Sequence, residues 1–226
     1  ALLMRRALEY VSQFDGVIAQ HAQDPALTVG AQMNHGTVSS ELGLTGWPGV
    51  AEEVIIARDV LLAESLGSRL HICHLSTARS VDIVRWAKQR GINVTAEVTP
   101  HHLLLTDENA RGYDPVFKVN PPLRTANDVA ALREALIDGT IDIVATDHAP
   151  HPAEAKDCEW SAAAFGMLGL ETAAGQQLEK LRLQREDLLT RYLPDSRAVQ
   201  DVERRIVIGA GKVQQSLLDV QCLAIG

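Results

Sequence analysis

The sequence predicts an α/β fold in which helices cover a parallel sheet. Three observations carry this. Short, near-continuous apolar runs alternate with longer helical stretches that close on glycine, the pattern of strands buried on both faces between helices. Polar and ionisable residues gather where those runs end, at His21, His74, Glu97 and Asp147. The chain has 226 residues, 46% of them apolar but only 4% aromatic, so it can build a sizeable core mostly from Ala, Val, Leu and Ile.

The elements follow in order. Residues 2–14 read as an amphipathic helix, and residues 17–21 after Gly16 as a short strand ending in polar side chains. The first eight residues are helical in character with no cap before them, which suggests a missing upstream part. Residues 24–47, rich in Gly, Thr and Ser, read as loop. Pro48 suits the first turn of a helix that runs to about Leu66 and stops at Gly67. Residues 70–74 form the next strand. Ser76 or Thr77 caps a helix reaching about Arg90, with Gly91 as its stop. The β-branched run 92–98 is a third strand. A long irregular stretch follows from Pro100 to Thr125, of the kind that is usually functional. Residues 126–138 form a helix closed by Gly139, and residues 141–146 a fourth strand leading into Asp147-His148-Ala149-Pro150-His151. A (β/α)8 barrel and an open doubly wound sheet both place ligands at the carboxyl ends of strands. Four strands are evident, against the eight of a closed barrel. From about Ala174 the character changes. Residues 176–192 are charged, Leu-rich and helical, residues 195–205 charged, and residues 206–211 suit a strand and turn. The expected organisation is a partial barrel over 1–173 and a divergent, mainly helical tail over 174–226.

Composition excludes several functions. A net charge of −8 leaves no electrostatic footprint for nucleic acid or an anionic membrane. No apolar run approaches the roughly 20 residues of a membrane span. Cys73, Cys158 and Cys222 are scattered and unpaired in number, as for free thiols in a reducing compartment. With no signal pattern at the start, the expected location is cytoplasmic. There is no CxxC pair, and no Walker or Rossmann glycine pattern; Gly166 and Gly169 do not form one.

What remains is a donor set for a catalytic metal. His21, His74 and Asp147 offer two imidazoles and a carboxylate without cysteine, which suits a zinc ion with open positions. Taken singly, each has an ordinary explanation. A lone strand-end histidine is more often structural, and Asp147 could cap a helix. His71 competes with His74, since residues three apart on a strand face opposite ways. Asn120, in the rigid run Asn120-Pro121-Pro122-Leu123-Arg124, could face a ligand or sit in a surface turn. His101 and His102 suit supporting or loop roles. Glu52 and Glu53 read as ordinary partners of a helix dipole.

Four runs together resemble a known family. They are His71-Ile72-Cys73-His74-Leu75-Ser76-Thr77, Glu97-Val98-Thr99-Pro100-His101-His102-Leu103-Leu104, Lys118-Val119-Asn120-Pro121-Pro122-Leu123-Arg124, and Ala145-Thr146-Asp147-His148-Ala149-Pro150-His151. In order and spacing they resemble the bacterial dihydroorotases of the long, class I type, over roughly residues 1–173. The resemblance implies a partial TIM barrel of the metal-dependent amidohydrolase type with a two-zinc centre. It implies reversible ring closure of N-carbamoyl-L-aspartate to L-dihydroorotate, in pyrimidine biosynthesis. It implies that His21 and His74 bind the second zinc, and that Asp147 is the remaining ligand and the general acid and base. Asn120 and His151 would bind substrate, with backbone near Ala164 and Gly166 closing over it. The expected partner is this small molecule, with self-association into a homo-oligomer also open.

The departures matter as much. The family's His-x-His pair, which with a bridging carboxylate cradles the first metal, is absent from this sequence, as are the nearby substrate Arg and the small β-sandwich. Two alternatives therefore stand beside a dihydroorotase. One is a related amidohydrolase acting on another cyclic amide, such as an allantoinase or hydantoinase. The other is a non-catalytic paralogue.

Overall fold

The computed structural model describes residues 1–169. The expectations for 174–226 lie outside the described residues. In chain order the elements are α1 (Leu2–Ser12), β1 (Val17–Gln20), β2 (Met33–Asn34), α2 (Thr37–Leu42), β3 (Gly46–Trp47), α3 (Val50–Leu66), β4 (Arg69–Ile72), α4 (Ala78–Gln89), β5 (Val94–Val98), α5 (Pro100–Leu104), α6 (Ala126–Asp138) and β6 (Ile143–Val144). Short 3-10 turns occupy Asp107–Gly112, Pro115–Phe117 and Ala153–Ala155.

The main sheet runs β1-β4-β5-β6, all parallel. Each strand pairs with the next strand of that sheet in sequence, without the reversal of order that marks a doubly wound sheet. The arrangement is an arc of a barrel. Helices α1, α3, α4 and α6 pack side by side in the same order. Alternation along the strands divides the sheet. Leu70 and Ile72 of β4, with Val94, Ala96 and Val98 of β5, are buried against Ile56 and Val60 of α3, Val81 and Val84 of α4, and Leu132 of α6. The opposite face carries polar groups. There His71 Nδ1 lies 2.8 Å from Thr95 Oγ1 and Nε2 lies 3.0 Å from Glu97 Oε2.

Local chemistry explains the helix ends. Thr77, rather than Ser76, caps α4, its hydroxyl accepting from the N–H of Ser80. Thr125 and Asp128 form a reciprocal capping box at the start of α6. Gly67 and Gly139 close α3 and α6 in the left-handed conformation that glycine adopts without a Cβ penalty.

Several expectations need correction. The 24–47 stretch is not plain loop; it holds the small parallel pair β2–β3 and helix α2. The 100–125 stretch is not irregular throughout: it holds α5 and two short 3-10 turns, while residues 118–125 have no regular structure. Thr99 caps α5, placing His101 and His102 in a buried helix rather than an open loop. The last strand shrinks from 141–146 to two residues, because Ile141 is drawn into the helix-side core and Asp142 turns to hold the N–H of Ala96. Glu52 is no simple dipole partner. It is 3% exposed, and its carboxylate accepts from the N–H of Ser76 at 3.0 Å and from the Ser76 hydroxyl. Among the described residues, no helix is long and apolar enough to cross a membrane.

Candidate metal centre

The site forms where β1 and β4 end. β4 stops at Ile72, before His74, so strand alternation does not govern where His74 points. The N–H of Cys73 binds the carbonyl of Gln20 at 3.0 Å, and the N–H of Leu75 binds the carbonyl of Glu97 at 2.9 Å. Those bonds pull the chain toward different neighbouring strands on either side of His74. His74 absorbs the change at φ +36°, a conformation rare outside glycine that concentrates at functional sites.

The imidazole of His74 is buried and meets that of His21. His21 Nδ1 lies 2.8 Å from His74 Nε2. The other His21 nitrogen, Nε2, is 3.0 Å from the side-chain oxygen of Gln23. An amide oxygen only accepts, so the His21 proton belongs on Nε2, leaving a lone pair on Nδ1 aimed at His74. Burial, then the neighbouring His21, holds His74 below the usual histidine range, against the pull of Asp147 and Glu52. A neutral imidazole is the form that binds a metal. His74 Nδ1 has no hydrogen-bond partner among the described residues. With His21 Nδ1 accepting, His74 Nε2 carries the proton of this contact, and a cation in place of that proton would take one nitrogen from each ring, so the donor chemistry suits the metal that the sequence implied.

Gln23 links this pair to a third predicted residue. Its side-chain oxygen also accepts from Asn120 Nδ2 at 3.3 Å, and its amide nitrogen donates to Thr28 Oγ1 at 2.8 Å. Asn120 precedes a cis peptide bond to Pro121, and its own Oδ1 is buried without a partner. His21, His74 and Asn120 thus lie together. Gln23 and Thr28 were not anticipated; the closeness of Gln23 to His21 in sequence was the available signal.

Asp147 stands past the end of β6, half-buried, also at positive φ. Its carboxylate acts electrostatically on His74, Cys73 and His101. No hydrogen bond joins it to His21 or His74. The remaining predicted residues form a second group. His151 Nε2 lies 2.8 Å from the carbonyl of Phe165. Gly166 donates its N–H to the carbonyl of Lys118, and the carbonyl of Ala164 accepts from Lys156 Nζ at 2.8 Å. A Cβ on Gly166, at φ +146°, would stand 2.6 Å from His151 Nε2. Glycine is what lets backbone and imidazole approach there.

A further donor group lies on the polar sheet face. Ligand atoms of His71, Cys73 and Glu97 all lie within 4.8 Å of one another and could hold a metal ion. The Cys73 thiol is pushed up to about 11, by burial first and then by Glu97 and Asp147, so it is an inert thiol unless a cation displaces its proton.

Residues 1–80 match the family model described as dihydro-orotase-like. The chain is 79% identical over 173 residues to the dihydroorotase of Streptomyces coelicolor, covering 76% of this chain and 40% of that protein. It is 59% identical over 172 residues to the dihydroorotase of Mycobacterium tuberculosis, with the same coverage of 76% and 40%. Among solved structures, the L-hydantoinase of Arthrobacter aurescens superposes with a TM-score of 0.67 at 26% identity, over 78% of this chain and 42% of that one. A dihydroorotase from Saccharomyces cerevisiae superposes at 0.60 with 20% identity, over 78% and 48%. The chain spans about 40% of the length of the curated relatives it matches. Within that span, the chain is similar to the dihydroorotases and carries part of an amidohydrolase α/β barrel.

Proposed function

We propose that this chain supplies the His21, His74 and Asp147 side of a zinc-dependent dihydroorotase that interconverts L-dihydroorotate and N-carbamoyl-L-aspartate in cytoplasmic pyrimidine biosynthesis. The observation that carries the reading is the facing pair of imidazoles at the carboxyl ends of β1 and β4. The names of the relatives supply the substrate. His21 and His74 would hold the ion, with Asp147 completing the set. Bound zinc would polarise the ring amide carbonyl and lower the pKa of a water from about 15.7 to about 7. Asp147 takes the proton of the attacking water and returns it to the ring nitrogen as the carbon–nitrogen bond breaks. Asn120 and His151 bind the substrate, and backbone near Ala164 and Gly166 closes over it.

The test is ring opening of L-dihydroorotate by the purified chain with zinc, beside Asp147→Ala. Turnover that disappears in the variant supports the reading. A folded, monodisperse chain that neither binds zinc nor turns over sinks it. One observation favours a second reading, that the chain binds metal but needs a complementing segment: the sequence contains no His-x-His pair. Zinc binding without turnover would select it. Allantoin and hydantoins in the same assay distinguish other cyclic amidohydrolases.

A further inference from the structure

We propose that Ser76, clasped between Glu52 and Arg124, is a positioning residue that ties the His74 turn to the Asn120 segment. The two sides of the site then hold one geometry. The proposal rests on the reading of His74 and Asn120 given above.

Three buried side chains meet at one hydroxyl. Glu52, from the first turn of α3, accepts both the N–H of Ser76 and its hydroxyl proton. A serine has a single hydroxyl proton, so its oxygen is left to accept. Arg124 Nε donates to that oxygen at 3.0 Å. The direction of the relay is therefore fixed, from guanidinium through hydroxyl to carboxylate. Arg124 is 1% exposed and touches no carboxylate directly among the described residues. Its Nη1 donates to Asn34 Oδ1 at 3.0 Å and to the carbonyl of Trp47 at 2.8 Å. Asn34 passes the interaction to Asp107, whose own N–H binds the carbonyl of Arg124 at 2.9 Å. Arg124 is thus held by side chain and backbone alike.

Short, stiff connections run from this junction to the site. His74 lies two residues before Ser76, and the intervening Leu75 is bonded to β5. Asn120 lies four residues before Arg124, separated from it by Pro121, Pro122 and Leu123. The prolines have fixed φ, and both of their carbonyls lie within reach of His102 Nε2, at 3.1 and 3.3 Å. Few soft dihedrals separate Ser76 from either site residue. A buried ionic network is weak evidence of stability in itself, because desolvation offsets the attraction. Its consequence here is geometric.

The experiment uses the full chain with Ser76→Ala and the near-isosteric Ser76→Cys. In the metal-free protein, NMR follows the His74 imidazole and the Asn120 side-chain amide. Both signals are expected to move, although Asn120 makes no hydrogen bond to Ser76. Titration with zinc alone is expected to show affinity falling roughly 10- to 100-fold, as for loss of a group that orients a metal ligand. Glu52→Gln should act in the same direction. A purely structural role would lower the melting temperature while leaving the Asn120 signal and the zinc affinity of the folded protein in place, and that result overturns the proposal. If Ser76→Ala does not fold, Ser76→Cys decides. If the unsubstituted chain binds no zinc, the functional reading fails on its own, and the metal-free spectra still judge the coupling.

Discussion

His21 and His74 stand 53 residues apart in sequence, yet their rings meet edge to face with centroids 4.6 Å apart and an interplanar angle of 72°. Neither strand alone creates this contact. It arises because β1 and β4 pair in parallel, with Gln20 opposite Ile72, so that both chains leave the sheet at the same level. His74→Ala removes one imidazole from the pair. Calorimetric titration with zinc should show affinity reduced by at least about ten-fold, with far-UV circular dichroism unchanged. Unaltered zinc affinity would remove His74 from the ligand set.

His101 gives the protein an acid limb. It is 3% exposed, and both ring nitrogens lack partners among the described residues. Burial, offset in part by Asp147 and reinforced by His74, lowers its pKa from 6.5 to about 4. The unfolded chain therefore takes up a proton in that window while the folded chain does not, so stability present above pH 6.5 is lost as pH falls toward 4. The effect is on the order of 3 kcal/mol by linkage. His101→Phe removes the titration. Its melting temperature at pH 4.5 should approach or exceed that of the unsubstituted protein, with little change at pH 7. A parallel shift at both pH values would count against this account.

Lys118 should anchor the loop that carries Ala164 and Gly166. Its ammonium donates to the carbonyls of Trp160 at 2.6 Å and Ser161 at 3.2 Å, and sits 4.6 Å from the centre of the Phe165 ring. Lys118→Met keeps the stem but leaves those carbonyls without their donor. The expected cost is about 1–3 kcal/mol. Hydrogen exchange should show the loss concentrated around residues 158–167, and exchange unchanged there would refute the assignment.

Gly166→Ala tests the second half of the site. The added Cβ would stand 2.6 Å from His151 Nε2 and 2.8 Å from the carbonyl of Ala149, on a backbone that disfavours any side chain. His151 must then leave the carbonyl of Phe165. If the proposed reaction is right, KM for dihydroorotate should rise at least about ten-fold, while zinc affinity, set at His21 and His74, stays level. A loss of zinc affinity instead would mean that the two halves are not separable.

By itself the sequence determined the alternation of strands and helices, the glycine stops, and the placing of His21, His74 and Asp147 at strand ends. Those features are local. Short apolar runs, caps and turn residues act within a few positions, so they are legible without the fold. The four motif runs likewise carried the family. Tertiary structure alone decided the rest, because partners distant in sequence impose it. Paired strands on either side pull His74 out of strand alternation, which periodicity cannot register. Gln23 became a bridge only once the Asn120 segment folded beside it. Glu52 looked like a helix-dipole residue until the turn at Ser76 was packed over it. Arg124 is charged, and the Asn34, Trp47 and Ser76 acceptors, brought from three other parts of the chain, are what allow its guanidinium to be buried.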